Sequence, residues 1–424
     1  MNLKILSEPK FQIFKDENDF IFYNSVQHFS CRLSLLDLSI FNLIYSLKNL
    51  EDILASIPQK YHEYVRSVFN AAESCNALDL SSPNRSNKLE YPIPSTYYIH
   101  LTYKCNLDCV YCYNKKIRAD FFKETSFTDW KIILNKILPH AKKIILTGGE
   151  PFLYKYINDI ILYIKDYDKN IKIEMISNCM IDFSKKNKFD VVFTNISHIT
   201  FSCDNLSDIN QPRINFNPDL FKKNINYLRC KYPNLPILVS SVYSCGNYQE
   251  LENIKTYCNQ QSTGFKSVLI VPGNKDEINL LPPFEEYYST LHKSLNKYPK
   301  RRMHCGAAIG VLSINPKGDV YPCQSLMHDE FFMGSLMTSS LEDIMQSKIF
   351  DLFRHEYCVD NIDTCKDCNV KYICAAGCRA ATINIEGSAK NWPRTLCRYY
   401  KENALNKLRS IPPMDEKNLI TELK

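Results

Sequence analysis

Three periodicities follow one another along the chain and divide it. Near the N-terminus, the apolar runs Phe11-Gln-Ile-Phe14 and Phe20-Ile-Phe-Tyr23 flank the polar Asp16-Glu-Asn-Asp19 and read as two strands around a turn. A third short strand is expected around His28 and Phe29. Leu36, Ile40, Leu43, Ile44 and Leu47 then recur at helical spacing, and Tyr61, Val65, Val68, Phe69 and Ala72 do so again, with a short helix from about Leu50 to Ile57 between them. Residues 1–80 are therefore expected to form a small α+β unit. Leu80-Ser-Ser-Pro-Asn-Arg-Ser-Asn-Lys, with Pro92 and Pro94 beyond, has linker composition, and the linker is set at 81–96.

Over residues 97–300 strands and helices alternate. Tyr97 to Tyr103, Lys143 to Thr147, Ile171 to Ile176, Ile199 to Ser202, Ile237 to Val242 and Val268 to Val271 are the expected strands. Helical patterns lie between them, among them Trp130 to Leu138, Ile157 to Ile164, Leu220 to Leu228 and Leu251 to Cys258. Six β/α units imply parallel strands joined by right-handed crossovers. From about residue 301 the alternation stops and cysteines return. Ile314-Asn-Pro-Lys-Gly-Asp-Val320 suits a hairpin that would bring Cys305 and Cys323 together, and a Lys/Glu-rich helix from about Tyr399 reads as a solvated face.

At 424 residues two or three domains are expected, and 45% hydrophobic content is enough for a sizeable core. A net charge of +6 is mild for this length and argues against a dedicated nucleic-acid binder. No apolar run reaches the ~18 residues of a membrane helix, and the N-terminus lacks the apolar core of a secretory signal. The expected location is the cytoplasm, with neither membrane nor nucleic acid as partner. There 18 cysteines stay reduced, and clusters of them mean metal or catalysis rather than disulfides.

The densest cluster is Cys105-Asn-Leu-Asp-Cys109-Val-Tyr-Cys112, directly after the first of these strands. Three thiolates on one short loop can grip three corners of a 4Fe–4S cube and leave the fourth iron open to a ligand. Zinc is the alternative, although structural zinc takes four closed ligands, usually as paired cysteines. The loop resembles the Cys-x3-Cys-x-aromatic-Cys signature of radical S-adenosylmethionine (SAM) enzymes, with Tyr111 as the aromatic. That family implies a partial (β/α)6 barrel, open on one side, with active residues at the C-terminal ends of the strands. Gly148-Gly149-Glu150-Pro151, after the second strand, resembles the family's motif for the methionyl amino group. Glycines allow close backbone approach to a ligand, and a carboxylate can hold an ammonium. Ser177 and Asn178 after the third strand, with Ser202 and Asp204 after the fourth, match the positions that contact ribose or carboxylate. Taken one by one, they also read as strand-end capping residues.

Over 301–424, Gly318-x4-Cys323 and Cys365-x2-Cys368-x5-Cys374-x3-Cys378, with Cys305 before them and Cys397 after, resemble the seven-cysteine SPASM extension. The resemblance implies two auxiliary 4Fe–4S clusters. Cys365, Cys368, Cys374 and Cys397 would hold one, and Cys305, Cys323 and Cys378 three corners of the other. A zinc ribbon is the alternative for the last group. The fourth corner of the second cluster is open: position 299 is Pro, where some relatives carry cysteine, and Cys358 is a spare thiol. Cysteines 31, 75, 179, 203, 230, 245 and 258 read as small core hydrophobes.

The expected fold class is thus α/β: a partial (β/α)6 barrel with an N-terminal winged-helix-like unit and a C-terminal cysteine-rich SPASM domain. The N-terminal pattern resembles the winged-helix element that binds leader peptides by strand addition; a plain cap and a DNA-reading winged helix are the alternatives. The resemblance implies that a reduced cluster cleaves S-adenosylmethionine to a 5′-deoxyadenosyl radical, which takes hydrogen from a substrate C–H bond. The implied partners are a leader-bearing precursor peptide and an external electron donor such as flavodoxin or ferredoxin. The expected product is a peptide carrying a cross-link or an oxidation. A sulfatase-maturing enzyme is the nearest rival, but those relatives carry an Asp base where this chain has Gln324. A zinc- or cluster-bearing interaction protein is the rival of another class.

Overall fold

A run of four consecutive buried residues, Ile21 to Asn24, is the first sign of how the N-terminal unit is used. In the computed structural model, which describes residues 11–16, 19–24, 29–74, 77, 92–115, 124–185, 187–207, 211–290, 302–391 and 393–411, strands β1 (Phe11–Asp16), β2 (Asp19–Asn24) and β3 (Phe29–Leu33) form an antiparallel sheet in that order. His28 and the linker stretch Leu80 to Lys88 lie outside the described residues. Phe22, Cys31 and Leu33 point into helices α1 (Leu35–Leu47), α2 (Leu50–Ala55) and α3 (His62–Ser74), where they meet Phe41, Ile44, Val65 and Phe69. Helix α1 starts because Ser34 and Asp37 cap each other's backbone N–H groups, a box worth about 1 kcal/mol.

A sheet with one wet face would bury every second residue of β2, yet Ile21, Phe22, Tyr23 and Asn24 are all buried. The second face is covered by the cysteine-rich region. Ile21 and Tyr23 pack against Val370, Ile373, Ala404, Leu408 and Ile411. Arg32, held by Asp16 at 2.6 Å, donates from Nη2 to the Arg409 carbonyl at 2.6 Å and from Nε to the Ile411 carbonyl at 2.9 Å. These carbonyls lie at the C-terminus of a long helix, where a cation is favoured by the helix dipole.

The central sheet is built from β4 (Thr96–His100), β6 (Lys143–Thr147), β7 (Lys172–Ser177), β8 (His198–Ser202), β10 (Ile237–Tyr243) and β11 (Gly264–Leu269). They are all parallel and neighbour one another in chain order. Two further strands of two residues each, β5 (Asp108–Cys109) and β9 (Arg213–Ile214), pair with one another outside it. Helices α4 (Phe127–Ile137), α5 (Ile157–Tyr167), α6 (Asp190–Asn195), α7 (Pro218–Lys231) and α8 (Leu251–Gln260) cover one face. There Trp130, Ile133, Ile160, Ile225 and Leu228 meet Tyr97, Ile99, Ile144, Leu146, Ile173, Met175, Ile199 and Phe201. By the two-residue period, Tyr98, Glu174, His198 and Ser240 stand on the opposite face, which is half-buried and polar.

The six expected parallel strands are all present, with a helix between each successive pair. On the far side of β4 the sheet continues through β12 (Val311–Ile314), parallel to β4, then the antiparallel β13 (Asp319–Tyr321) and β14 (Gly334–Ser335). The order is β11-β10-β8-β7-β6-β4-β12-β13-β14, so the ends β11 and β14 do not meet and the barrel is open. The expected hairpin is β12–β13. Strand β11 begins before the Val268 start read from the sequence, because on this sheet edge its side chains are largely exposed and its polar Lys266 and Ser267 mask the strand pattern.

Helices α9 (Lys371–Cys374), α10 (Arg379–Glu386) and α11 (Arg394–Arg409) close the chain. The expectation of a solvated C-terminal helix is corrected. Leu396, Tyr399, Ala404 and Leu408 are buried along one side of α11, and the Tyr399 hydroxyl donates to the Pro282 carbonyl at 2.6 Å. The many Lys and Glu residues hid a sparse but regular apolar stripe. Leu396→Ala should lower stability by roughly 2–5 kcal/mol, the usual cost of such a truncation in a packed core. Replacing the exposed Lys401 by Ala should change it by less than about 0.5 kcal/mol. Equal urea midpoints for the two variants would return the helix to solvent.

Candidate functional site

The cysteine loop begins where β4 ends, and a strap from β6 holds it. Leu101 N–H donates to the Thr147 carbonyl at 3.0 Å, Gly149 N–H to Thr102 at 2.7 Å and Glu150 N–H to Lys104 at 2.7 Å. A Cβ at Gly148, whose φ is +138°, would lie 2.4 Å from the Thr102 carbonyl oxygen; one at Gly149 would lie 2.1 Å from that of Lys104. The sequence reading assigned the space at these glycines to a ligand. The structure fills it with the chain's own backbone, so both glycines are required for the loop to lie where it does. Beyond the third cysteine, Asn114 Nδ2 donates to the Gly148 carbonyl at 3.2 Å.

Glu150 is fully buried. Its Oε1 accepts from Phe152 N–H at 3.2 Å and Ser177 Oγ at 2.9 Å, and its Oε2 from Asn178 N–H at 2.8 Å. Burial pushes its pKa up to about 7, against the pull of these three donors. The sign follows: below the ordinary value of 4.5 its burial costs nothing, and the full cost is reached only as pH rises through about 7. Glu150, Ser177 and Asn178 thus form one connected group, and Asn178 Nδ2 extends it to Cys105 Sγ at 3.6 Å.

Tyr111 and Asp204 form a second group around a residue that no motif marked. Cys109 on β5 pairs in register with Arg213 on β9. Arg213 Nε meets Asp204 Oδ2 at 2.9 Å, its Nη1 donates to Cys109 Sγ at 3.7 Å, and its guanidinium lies 5.5 Å from the Tyr111 ring centroid. The Tyr111 hydroxyl donates to Asp204, and Val242 N–H donates to the same carboxylate at 2.8 Å. Burial lifts the Asp204 carboxyl above its ordinary range, with Arg213 opposing it. Ser202 is half-buried at the end of β8, in register with Ser240, and stands outside this group.

The C-terminal thiols fall into two neighbourhoods. Cys323 lies within electrostatic reach of Cys378 and Cys305, and Cys374 within reach of Cys368, Cys365 and Cys397. The spare Cys358 sits beside Asp360 and Lys371 instead. Of the cysteines read as core fillers, 31, 179, 203 and 258 are buried, Cys230 and Cys245 are exposed, and Cys75 lies outside the described residues. The exposed pair corrects that reading, since thiols of moderate polarity are tolerated on a helix end or a loop.

Three thiols on one loop, two of them within reach of N–H donors, are a donor set of the kind a 4Fe–4S cluster takes. Thiolates around one tetrahedral zinc, each about 2.3 Å from it, would lie roughly 3.8 Å apart. Among the described residues no three His, Cys, Asp or Glu side chains gather closely enough to hold one metal ion. N–H donors aimed at Cys105 and Cys109 are the contacts a cluster thiolate takes. Arg213→Ala would leave Asp204 charged and buried without its partner. The expected loss is roughly 3–5 kcal/mol in urea unfolding, with Arg213→Lys recovering only part because an ammonium cannot bridge Asp204 and Cys109 as a fork does.

Two family descriptions match the chain: radical SAM superfamily over residues 99–258, and iron-sulfur cluster-binding domain (SPASM) over residues 305–369. An uncharacterized protein of Methanocaldococcus jannaschii is 29% identical over 253 residues, covering 54% of this chain and 84% of that protein. The sporulation killing factor maturation protein SkfB of Bacillus subtilis is 23% identical over 175 residues, 41% of this chain and 42% of SkfB. Among solved structures, Streptococcus suis SuiB bound to precursor peptide SuiA has a TM-score of 0.56 at 16% identity, covering 92% of this chain and 98% of that one. SuiB bound to S-adenosylmethionine gives the same TM-score over 93% and 100% of the two chains. With a cysteine loop strapped to the C-terminal end of an open parallel sheet and grouped thiols behind it, this chain carries a radical SAM domain over residues 99–258 and an iron–sulfur cluster-binding SPASM domain over residues 305–369, the pair that marks a radical SAM enzyme using 4Fe–4S clusters and S-adenosylmethionine.

Proposed function

We propose that the chain is a peptide maturase that installs a cross-link or an oxidation in a leader-bearing precursor peptide. The observation that carries this reading is the N-terminal sheet, docked on the cysteine-rich region with both edge strands, β1 and β3, unpaired by any other described strand. An extended leader can add to such an edge through backbone hydrogen bonds. The open barrel gives a long peptide access, and the likeness in fold to a protein solved with a precursor peptide supports the same use. In this reading residues 1–80 recognise the leader, 81–96 link, 97–300 form the barrel and 301–424 the SPASM domain. A one-electron donor such as flavodoxin or ferredoxin serves it in the cytoplasm.

Cys105, Cys109 and Cys112 would hold three corners of the radical cluster. Cys365, Cys368, Cys374 and Cys397 would hold one auxiliary cluster, and Cys305, Cys323 and Cys378 three corners of the other. The chemistry such a cluster supplies with bound S-adenosylmethionine is one-electron cleavage of the sulfonium and hydrogen abstraction from an unactivated C–H bond. The chain's own residues orient and exclude water. Glu150 accepts three hydrogen bonds of the roughly four its oxygens offer, which leaves room for the ammonium of the amino acid moiety. Tyr113, whose hydroxyl donates to Gln324 Oε1 at 3.4 Å, links the segment after Cys112 to the segment after Cys323. An amide at position 324 is not a proton acceptor of the kind a sulfatase-maturing reaction needs.

Cys105→Ala, Cys109→Ala and Cys112→Ala should each abolish formation of 5′-deoxyadenosine by the reconstituted, reduced protein. Persistent product from any of them would refute the ligand set. Mass spectrometry of a candidate precursor peptide after co-expression then tests the maturase reading, and an unmodified mass with active cofactor cleavage would send it elsewhere.

Glu150 makes cofactor affinity pH-dependent. A bound ammonium favours the ionised carboxylate, so binding releases a proton below about pH 7, and affinity should rise with pH up to that value and then level off. Calorimetric titrations across pH 5.5 to 8 should show this slope in the wild type and its loss in Glu150→Gln. The same slope in both proteins would remove Glu150 from the ammonium site.

A further inference from the structure

Between the two C-terminal thiol groups the backbone takes a costly path. Ala375, Ala376 and Gly377, which join Cys374 of one group to Cys378 of the other, all have left-handed φ angles of 55°, 50° and 59°. Gly377 adopts this freely, but each alanine costs about 1–2 kcal/mol. Such a run persists only where the surroundings impose it. Backbone bonds from Ala375 N–H to the Lys371 carbonyl at 2.7 Å and from Gly377 N–H to the Cys374 carbonyl at 3.1 Å contribute, and one buried side chain braces the whole run. Arg379, 1% exposed, donates from Nη2 to the Ala376 carbonyl at 2.7 Å and to the Ala375 carbonyl at 3.2 Å, and from Nη1 to the Ala389 carbonyl at 3.0 Å. One planar fork therefore holds the strained turn and the segment that leads on to Cys397. A guanidinium is suited to this, because its donors are fixed in one plane.

The same guanidinium is a buried cation among thiols of both groups: Cys305 and Cys378 of one, Cys365 and Cys374 of the other lie within its electrostatic reach. In a dry interior that charge is felt strongly by any anionic centre beside it. Hydrogen bonds and charge around cluster ligands are the protein's means of setting reduction potential.

We propose that Arg379 is a positioning residue that makes the two auxiliary cluster sites one redox unit, fixing their separation through the left-handed turn and raising both reduction potentials with a single shared positive charge. This rests on the cluster assignment of the preceding section. A cation favours the more negative, reduced form of a cluster, so its removal makes both clusters harder to reduce. Arg379 touches neither substrate nor reacting atoms and acts only through the cysteines.

The test uses the full-length chain carrying Cys105→Ala, Cys109→Ala and Cys112→Ala, so that the C-terminal clusters alone report. Iron and sulfide content and redox titration followed by electron paramagnetic resonance are measured for this parent, for Arg379→Gln and for Arg379→Lys. Arg379→Gln should retain both clusters and shift both midpoint potentials to more negative values. Arg379→Lys should keep both potentials near the parent while losing iron faster under chelator, since an ammonium keeps the charge but not the fork. Retained clusters with unchanged potentials in Arg379→Gln, or a shift in only one of them, would overturn the proposal. If Arg379→Gln fails to hold iron, Arg379→Lys decides. Clusters at parental potentials support the shared charge, and loss of clusters in both variants makes the residue merely structural. A parent that binds no iron would instead sink the cluster assignment itself.

Discussion

Two backbone hydrogen bonds, from Gly149 to Thr102 and from Glu150 to Lys104, govern the rest of the site. They extend the pairing of β6 with β4 past the end of the sheet and carry the cysteine loop as an outgrowth of it. Only glycine permits this, since any Cβ at 148 or 149 would collide with main-chain oxygen. The loop's position is therefore set by strand register rather than by side-chain packing, and register is hard to deform. Glu150 is fixed by the same strap, which is why one carboxylate can gather donors from the ends of β6 and β7 together.

Three buried ions, Asp204, Arg213 and Arg379, are arranged around thiols. Asn178 and Arg213 each direct an N–H toward a cysteine of the loop, and Asp204 and Tyr111 complete the surroundings of Arg213. Arg379 does the equivalent behind the barrel. Placing ions where water cannot screen them is expensive, and proteins rarely retain such ions without a use for the field they create.

Much of this was legible in the sequence, because strand order, hairpin and loop motifs are all local. The six parallel strands and the β12–β13 hairpin follow from short-range spacing, and the cysteine loop and the Cys305 to Cys368 segment fall within the two matched family descriptions. Arg213 was not legible: it lies on a two-residue strand too short for any periodicity and reaches Cys109 only through pairing across the fold. Arg379 follows Cys378 directly but reads as an ordinary surface charge until its burial is known. Glycines 148 and 149 were noticed for the right reason, close approach, with the wrong partner. The apolar stripe of α11 and the polar start of β11 were both hidden by charged residues that composition weighs too heavily.

The docking of the N-terminal sheet carries a consequence for how such enzymes diversify. Ile21 and Tyr23 on β2, with Arg32 on β3, form a face shaped to Val370, Ile373 and the end of α11. A unit borrowed from another protein would bring a foreign face to this seat and leave an oily patch on each side of the seam. Interchange by recombination is thus closed to the unit as a whole. Its variation is confined to the rim, where edge-strand residues other than Arg32 can drift without disturbing the seat, and so this N-terminal unit should diverge gradually rather than by exchange.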